Sequence, residues 1–404
     1  MTKNAKILFV TSGPPNLRWG GGARRTYQLL HELRAMFGDD AIVYVTLSHL
    51  DPTPQAVSHW FLRKVHRAIA KFNDIIENPL QPLSSGGSTP SRYLGHVRTN
   101  YLKLIDEHPN IETCIFENLT FSHFSKINSS RGIKTIIAPW GLTSMLINLP
   151  YMLPSLEKAK LKKDEFRDRV QIRSAAIALA NEMLISAAAD RTWYLSKIES
   201  GFWHAAGLQA SYVPYYAAGE ASVELELIKE RRKQEKVRRG LFLITSGPVD
   251  QNRISLDSLL RQISMEGLPR QAKVVILGTS VPPENYNKYQ LPQVEFRGYV
   301  PQSEYDEFLG QANAVLVPQV CGFGCLTRIS EMVAAGVPVI ADAMAAEATG
   351  RVPGVVYVEE PTKWLGCINE LMERETVASE DEVTEWFNRE RNSLRLEMTR
   401  SCAA

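Results

Sequence analysis

The chain has little cysteine and almost no net charge, and each shortage excludes a class of protein. Its five cysteines are scattered over 404 residues without paired CxxC spacing, so neither a zinc site nor a disulfide scaffold is predicted. The 46 Lys and Arg residues are balanced by 44 Asp and Glu residues, for a net charge of +2. That charge is too small to indicate a nucleic-acid partner.

Long apolar runs are also missing. No stretch approaches the roughly 20 apolar residues that span a bilayer. The first strand-like run, residues 7–10, comes too early for a cleavable signal segment. Together with unpaired cysteines, these absences predict a cytoplasmic protein with reduced thiols.

The chain is too long for one hydrophobic core, so two domains are expected. A buried strand pattern at residues 7–10 leads through a Gly/Pro loop into an amphipathic helix, and the same design restarts at 240–263. Alternating strands and helices predict an α/β protein with parallel sheets. Further strand-like runs lie at 41–47, 112–118, 134–140, 190–196, 211–217, 272–278, 293–300, 313–319 and 337–342.

These patterns predict an N-terminal domain over residues 1–223 and a C-terminal domain over 240–378. The polar segment 224–239 is interpreted as a solvated connecting helix. Residues 379–404 are predicted to form a helix that returns to the first domain. A long helix is predicted within 156–189 and a loop over 81–91.

The most informative segment is VPQVCGFGCLTRISEM, residues 317–332. Gly322 and Gly324 let backbone amides approach a ligand, and the helix that follows offers unpaired N–H groups and a positive dipole end. Arg328 and Glu331 are three residues apart and share a helix face, where they offer a cation and an acceptor. The segment therefore predicts a site for a nucleoside diphosphate.

This segment resembles the donor-binding helix of family 4 glycosyltransferases, and residues 294–319 resemble the strands and Gly-Tyr loop leading into it. The resemblance implies a GT-B fold, with two Rossmann-like domains facing each other across a cleft. It also implies that Glu331 binds the ribose and that Arg328 is a catalytic residue that neutralises phosphate charge. The remaining donor-binding residues implied in this half are Gly247, Gly298, Tyr299, Gly322, Phe323, Gly324, Cys325, Leu326 and Thr327.

The first half resembles the family more weakly, through a Gly20–Gly22 loop and through residues 189–203. Gly21 and Gly22 are assigned to the donor site by this resemblance. Arg24 and Arg25 are interpreted as solvated helix residues. Glu117 and Asn118 end a predicted strand at the carboxyl edge of the sheet, where α/β proteins bind ligands, so an acceptor contact is predicted there.

Two departures from the family pattern change the expected charges. Cys321 stands where many members have an acidic residue, and Pro248 stands where they have a basic one. Phosphate charge is then expected to fall on Arg328 and Arg253, the second predicted catalytic residue. No family-like His-Asp motif follows residues 134–140, and no isolated histidine is assigned as a base.

The predicted function is hexosyl transfer from a nucleotide-diphosphate sugar, with UDP or GDP favoured and no permanently bound cofactor. The resemblance implies retention of configuration, and the lack of a DxD triplet argues against an essential metal. The predicted acceptor is a sugar, a lipid-linked glycan or a small molecule. Two alternatives stay open: an inactive nucleotide-sugar-binding subunit, and an epimerase or glycosyl phosphorylase on the same fold. Basic residues within 60–72 offer a peripheral membrane contact, although packing on the domain itself is favoured.

Overall fold

The computed structural model of the chain describes residues 5–17, 20–50, 96–117, 124–140, 179–180, 182–234, 240–245, 250–278, 289, 291–319, 325–373 and 377–402. The chain divides into two units. Unit 1 comprises Met1–Leu195, Glu199–Val213 and Leu394–Ala404, and unit 2 comprises Ser196–Ile198 and Pro214–Ser393. The division at Val213 comes upstream of the predicted domain end at residue 223.

Unit 1 is built on a six-stranded parallel sheet of order β2-β1-β3-β4-β5-β6. Every residue of the first strand is buried, as expected for a parallel strand covered on both faces. The strands are β1 (Ile7–Thr11), β2 (Ile42–Thr46), β3 (Thr113–Phe116), β4 (Lys134–Ile137), β5 (Arg191–Tyr194) and β6 (Ala210–Tyr212).

Helices cover this sheet. The first has the predicted apolar spacing, with Leu29, Leu30 and Leu33 buried. The helices are α1 (Gly21–Phe37), α2 (Leu47–Leu50), α3 (His96–Glu107), α4 (Phe124–Ser130) and α5 (Lys197–Ala205), and residues 182–188 are also helical. The rest of the helix predicted within 156–189, the loop at 81–91 and the basic segment 60–72 lie outside the described residues.

Unit 2 has a second six-stranded parallel sheet, of order β12-β11-β10-β7-β8-β9. Counted from its own first strand this order is 3-2-1-4-5-6, the doubly wound order of dinucleotide-binding folds. The strands are β7 (Leu241–Thr245), β8 (Lys273–Leu277), β9 (Val294–Gly298), β10 (Ala314–Val317), β11 (Val339–Asp342) and β12 (Val355–Val358).

The two faces of this sheet carry two apolar cores, because successive residues of a strand point to opposite faces. Leu243 packs in one core and Phe242 in the other. The helices that cover the sheet are α6 (Glu220–Gln234), α7 (Asp250–Glu266), α8 (Gln302–Gln311), α9 (Thr327–Ala334), α10 (Ala343–Thr349) and α11 (Trp364–Glu373). The last helix, α12 (Glu380–Cys402), starts in unit 2, and residues 394–404 belong to unit 1.

Three local expectations were wrong. The run at 211–217 ends its strand at Tyr212, because Pro214 has no N–H for a ladder. Strand β12 was missed, although its sequence VVYV is rich in β-branched residues. The segment 224–239 was interpreted as a solvated connecting helix: its described residues, 224–234, are helical and complete α6, but Leu225 and Ile228 of that helix are buried in the core of unit 2.

In the described parts of the chain, no helix combines the length and the apolar character that a bilayer crossing requires.

Arg232 on α6 belongs to a basic run of the sequence, but its side chain has a structural role. Its guanidinium donates to the carbonyls of Leu309 at 2.6 Å, Ala312 at 2.8 Å and Gly336 at 3.0 Å. The first two lie at the end of α8, where helix carbonyls lack internal partners. Burial lowers the pKa of Arg232 to about 10, so the side chain remains a cation at neutral pH.

Replacing Arg232 with Met should lower the free energy of unfolding by about 2 kcal/mol, because the buried carbonyls lose a charged donor. Urea unfolding followed by circular dichroism measures the change. The matched control is Arg231→Met, which removes an exposed arginine one residue earlier. Equal stability of the two variants would contradict this role for Arg232.

Candidate functional site

The strand order of unit 2 reverses between β7 and β10, which are neighbours in the sheet. Connections leave these two strands toward opposite sides, so a crevice opens beyond their carboxyl ends. Strand β7 ends at Thr245 and β10 ends at Val317, which leads to the glycine segment before α9. Arg328 and Glu331 on α9 and Asp342 at the end of β11 lie around this edge.

Arg328 lies in the first turn of α9 and reaches back to β7. Its Nη1 donates to the carbonyl of Thr245, while its Nε is buried without an acceptor in the described part of the chain. Burial lowers the pKa of Arg328 to about 10, so it stays protonated at neutral pH. Among the described residues, no carboxylate forms an ion pair with this positive charge at the reversal point.

Glu331 lies one turn further along α9 and is 4% exposed. The hydroxyl of Tyr215 donates to its Oε1 at 2.5 Å. Tyr215 was not among the predicted site residues; it follows the last strand of unit 1 and itself belongs to unit 2. A buried tyrosine hydroxyl normally has a hydrogen-bond partner, but nothing local in the sequence identifies which residue that is.

Asp342, the last residue of β11, fixes the backbone that enters the glycine segment. Its Oδ2 accepts from the N–H of Gln319 at 2.5 Å, and its Oδ1 accepts from the indole N–H of Trp364 at 3.1 Å. Burial raises the pKa of Asp342 to about 6, and the two hydrogen bonds oppose that shift. Asp342 therefore holds β10 and α11 to β11 at the edge where Arg328 lies.

Unit 1 reverses its strand order between β1 and β3, and Glu117 lies at that point. Its backbone N–H donates to the carbonyl of Val10 at 3.0 Å, which extends the pairing of the two strands by one residue. The hydroxyl of Thr26, on the second turn of α1, donates to Glu117 Oε1. The carboxyl is thus anchored at the carboxyl edge of the sheet, where it was predicted to lie.

Burial raises the pKa of Glu117 to about 8. The indole of Trp140, the backbone N–H of Ser12 and the charge of Arg25 act in the opposite direction. At neutral pH the carboxyl is therefore mostly protonated and can both donate and accept hydrogen bonds. In turn, Glu117 contributes to raising the pKa of Tyr44 on β2, whose main cause is burial.

The segment Gly20–Gly22 does not form the loop that was predicted for it. The expected Gly20–Gly22 loop is the start of a helix, with Gly20 as its cap and Gly21 as its first residue. A Cβ atom on Gly22 would lie 2.6–2.8 Å from three ring atoms of Trp140. Gly22 is therefore required for close packing against this indole.

The prediction that Arg25 is solvated was wrong. Arg25 is 1% exposed, and its guanidinium donates to Gln28 Oε1 at 2.6 Å and to the carbonyl of Val213 at 3.2 Å. The helix turns this side chain toward the sheet, since residues 25, 28 and 29 share its buried face.

Residues 241–374, about one third of the chain, match the family model described as glycosyl transferases group 1. The C-terminal half contains a group 1 glycosyltransferase domain. The predicted glycosyltransferase is thereby confirmed for this domain, which carries Arg328, Glu331 and Asp342. A search of curated proteins gave no match.

Solved structures extend the likeness of this glycosyltransferase to the whole chain. Sucrose-phosphate synthase from Thermosynechococcus elongatus is 16% identical, with a TM-score of 0.63 and 98% of each chain covered. The Anabaena protein HepE in complex with UDP is 10% identical, with a TM-score of 0.57 and 98% of each chain covered. A trehalose-6-phosphate structure from E. coli bound with UDP-2-fluoro glucose is 11% identical, with a TM-score of 0.57 and 99% of each chain covered. With the two parallel sheets, these likenesses confirm the predicted GT-B fold.

The glycosyltransferase domain brings several other predicted residues to the same edge. Leu326 caps α9 without a side-chain hydrogen bond, so its side chain satisfies none of the first-turn amides. Cys325 and Thr327 flank it in sequence. Gly298 has φ +66° at the end of β9, and its carbonyl accepts from the N–H of Gly278 at 2.7 Å. Tyr299, which follows, is 79% exposed.

The remaining predicted residues cannot be placed in the site. Gly247, Gly322, Phe323, Gly324 and Asn118 lie outside the described residues. The backbone of Arg253 lies in the first turn of α7 rather than in a loop, and its side chain lies outside the description. Their roles stay predictions.

The raised pKa of Glu117 predicts a pH-dependent stability that Glu117→Gln removes. Because the folded protein holds this proton up to about pH 8, its contribution to stability is complete below the model-peptide value near 4.5 and is lost as pH rises through 8. Relative to the wild type, the Gln variant should gain on the order of a few kcal/mol across that window. Urea unfolding at several pH values measures it.

The exposed Glu107 in the same unit provides the control, and Glu107→Gln should reproduce the wild-type profile. A constant difference between wild type and the Glu117→Gln variant from pH 4.5 to 8 would contradict the assignment.

Proposed function

We propose that this chain transfers a sugar from a nucleoside diphosphate donor, with UDP the favoured nucleotide, and that unit 2 binds the donor. The observation that carries the proposal is Arg328. Within the glycosyltransferase domain, it is a cation removed from water, without a carboxylate partner among the described residues. An anion bound beside it would compensate the cost of removing this cation from water.

The choice of UDP over GDP rests on the structural neighbours. Two of the three described above contain UDP or a UDP-sugar analogue. They share the fold at low sequence identity, and Arg328 supplies the independent physical argument for a diphosphate. The fold, the domain and the charge therefore agree on the class of donor.

Arg328 and the start of α9 supply the chemistry that this reaction needs. The bond between the anomeric carbon and the diphosphate oxygen breaks, the acceptor oxygen forms a new bond to that carbon, and the acceptor's hydroxyl proton passes to the departing nucleoside diphosphate. Negative charge grows on the leaving oxygen, so a fixed cation and helix amides lower the barrier. In this proposal the positive charge comes from these groups rather than from a metal, and the family resemblance indicates retention of configuration.

Glu331 is proposed to bind the ribose hydroxyls. A carboxylate has about four lone-pair sites and can therefore accept several hydrogen bonds at once, including bonds from the two ribose hydroxyls. Tyr215 fixes the orientation of the carboxylate through its 2.5 Å contact. The acceptor, which is predicted to be a sugar, a lipid-linked glycan or a small molecule, is proposed to bind unit 1.

Thermal shifts with UDP, GDP, ADP and their glucose conjugates test the proposal directly. A ligand at 100 times its Kd stabilises the folded state by about 2.7 kcal/mol. We expect a selective shift with UDP and UDP-glucose. The absence of a shift with every nucleotide would refute donor binding.

Replacing Arg328 with Met should weaken UDP binding at least about tenfold, or 1.4 kcal/mol, because a charge-assisted contact to the diphosphate is lost. Uridine, which lacks the diphosphate, should bind the variant and the wild type equally. Isothermal titration calorimetry with both ligands makes the comparison. The control is Arg261→Met, an exposed arginine on α7. Equal losses for UDP and uridine would show that Arg328 acts only through the fold.

Replacing Glu331 with Gln should weaken UDP about tenfold, since a neutral amide accepts hydrogen bonds from the ribose less strongly. Binding of 2′,3′-dideoxy-UDP, which lacks both hydroxyls, should not change. Tyr215→Phe should give a smaller loss for UDP, because it releases the carboxylate without removing it. If the Gln variant loses affinity for both nucleotides alike, the ribose contact is ruled out.

A further inference from the structure

Trp140 presents an indole at the carboxyl edge of the sheet in unit 1. It follows β4, and the N–H of Ala138 just before it donates to the carbonyl of Phe116 at 2.7 Å. That bond extends the pairing of β4 with β3 toward Trp140. The side chain is 48% exposed, whereas tryptophan is normally largely buried. A large apolar ring thus faces solvent beside the strand-order reversal, where doubly wound sheets bind ligands.

The indole is held from one face by α1. A Cβ on Gly22 would lie 2.6 Å from Cδ2, 2.7 Å from Cε3 and 2.8 Å from Cε2 of Trp140. These three atoms are bonded neighbours at the fused bond of the indole, and nearly equal distances to them place the glycine over the ring face rather than at its edge. The backbone of Gly22 therefore supports one face of the ring.

The polar edge of the indole is held by Glu117, whose carboxyl is hydrogen-bonded by the Trp140 side chain. Glu117 is 1% exposed, so its carboxyl lies beneath the surface while the ring of Trp140 is exposed. Thr26 anchors the same carboxyl from α1. Face and edge are thus both fixed, and the indole needs little further ordering when a ligand binds.

We propose that Trp140 is the stacking platform of a pyranose-binding subsite in unit 1, with Gly22 and Glu117 as the residues that position it. A pyranose has an apolar C–H face that matches an exposed indole and hydroxyls that remain in water at its rim. The proposal rests on the proposed function, which requires sugar rings from both donor and acceptor, and it assigns one of them to this ring.

Saturation-transfer NMR with methyl α-D-glucopyranoside, methyl α-D-galactopyranoside and methyl α-D-mannopyranoside tests the subsite, with and without saturating UDP. We expect saturable binding of at least one glycoside by the wild type. Trp140→Ala should weaken that binding at least tenfold, and Trp140→Phe, which keeps an aromatic face, should retain most of it. Phe202→Ala is the matched control, since Phe202 is an aromatic residue of unit 1 with 42% exposure.

Two substitutions, one conservative and one not, test whether Glu117 positions the indole. Glu117→Gln keeps an acceptor for the indole N–H and should bind the glycoside like the wild type, whereas Glu117→Leu should resemble Trp140→Ala. If Trp140→Ala fails to fold, as judged by its melting temperature, Gly22→Ala replaces it, because the added methyl displaces the ring. Undiminished glycoside binding by Trp140→Ala or Gly22→Ala would overturn the proposal, as would a wild type that binds none of the glycosides with UDP present.

Competition identifies the source of the sugar. Displacement of the bound glycoside by UDP-glucose but not by UDP assigns the platform to the transferred sugar, and simultaneous binding assigns it to the acceptor. Either result supports the subsite. The UDP thermal shift of the wild type reports separately on donor binding, so glycoside binding that depends on Trp140 without a UDP shift would refute the proposed function and leave the subsite standing.

Discussion

Parallel strand pairing is the constraint on which both candidate sites depend. All strands of a parallel sheet end at the same edge, and at a reversal of strand order the flanking helices leave room beyond that edge. In unit 1 the reversal lies between β1 and β3, and it presents Glu117. In unit 2 the reversal lies between β7 and β10, where the carbonyl of Thr245 accepts a hydrogen bond from Arg328. Residues distant in sequence become neighbours because the hydrogen-bonded register fixes where each strand ends.

The free-energy cost of burying the ionisable groups at these two edges is compensated in different ways. Asp342 accepts two hydrogen bonds from described residues, and Glu117 avoids the cost of a buried charge by holding a proton. Arg328 cannot release its proton at neutral pH and has only a backbone carbonyl as a described partner. Of the three, it is the group that the proposed function pairs with the anionic diphosphate of a ligand.

Sequence patterns predicted the strands well because an apolar run bounded by turn residues is a local signal. Of the twelve strands in the described residues, eleven were expected, and β12, a short run after Gly354, was missed. The glycine segment and the spacing of Arg328 and Glu331 were also local, and they led to the correct fold and domain. Contacts such as Tyr215 with Glu331, 116 residues apart, are set by tertiary packing and leave no periodic trace. The burial of Arg25 was misjudged for the same reason, since its partner carbonyl is 188 residues away.

The contact between Gly22 and Trp140 makes two distant positions depend on each other. A side chain at position 22 has room only if the ring at position 140 becomes smaller or moves, so changes at the two positions should be far from additive. Any redesign of this surface of unit 1 would therefore have to treat the two positions as a pair. A library that varies position 140 alone keeps a bare backbone at position 22, whereas joint variation also allows a side chain on α1 to occupy the space that a smaller residue at position 140 would leave.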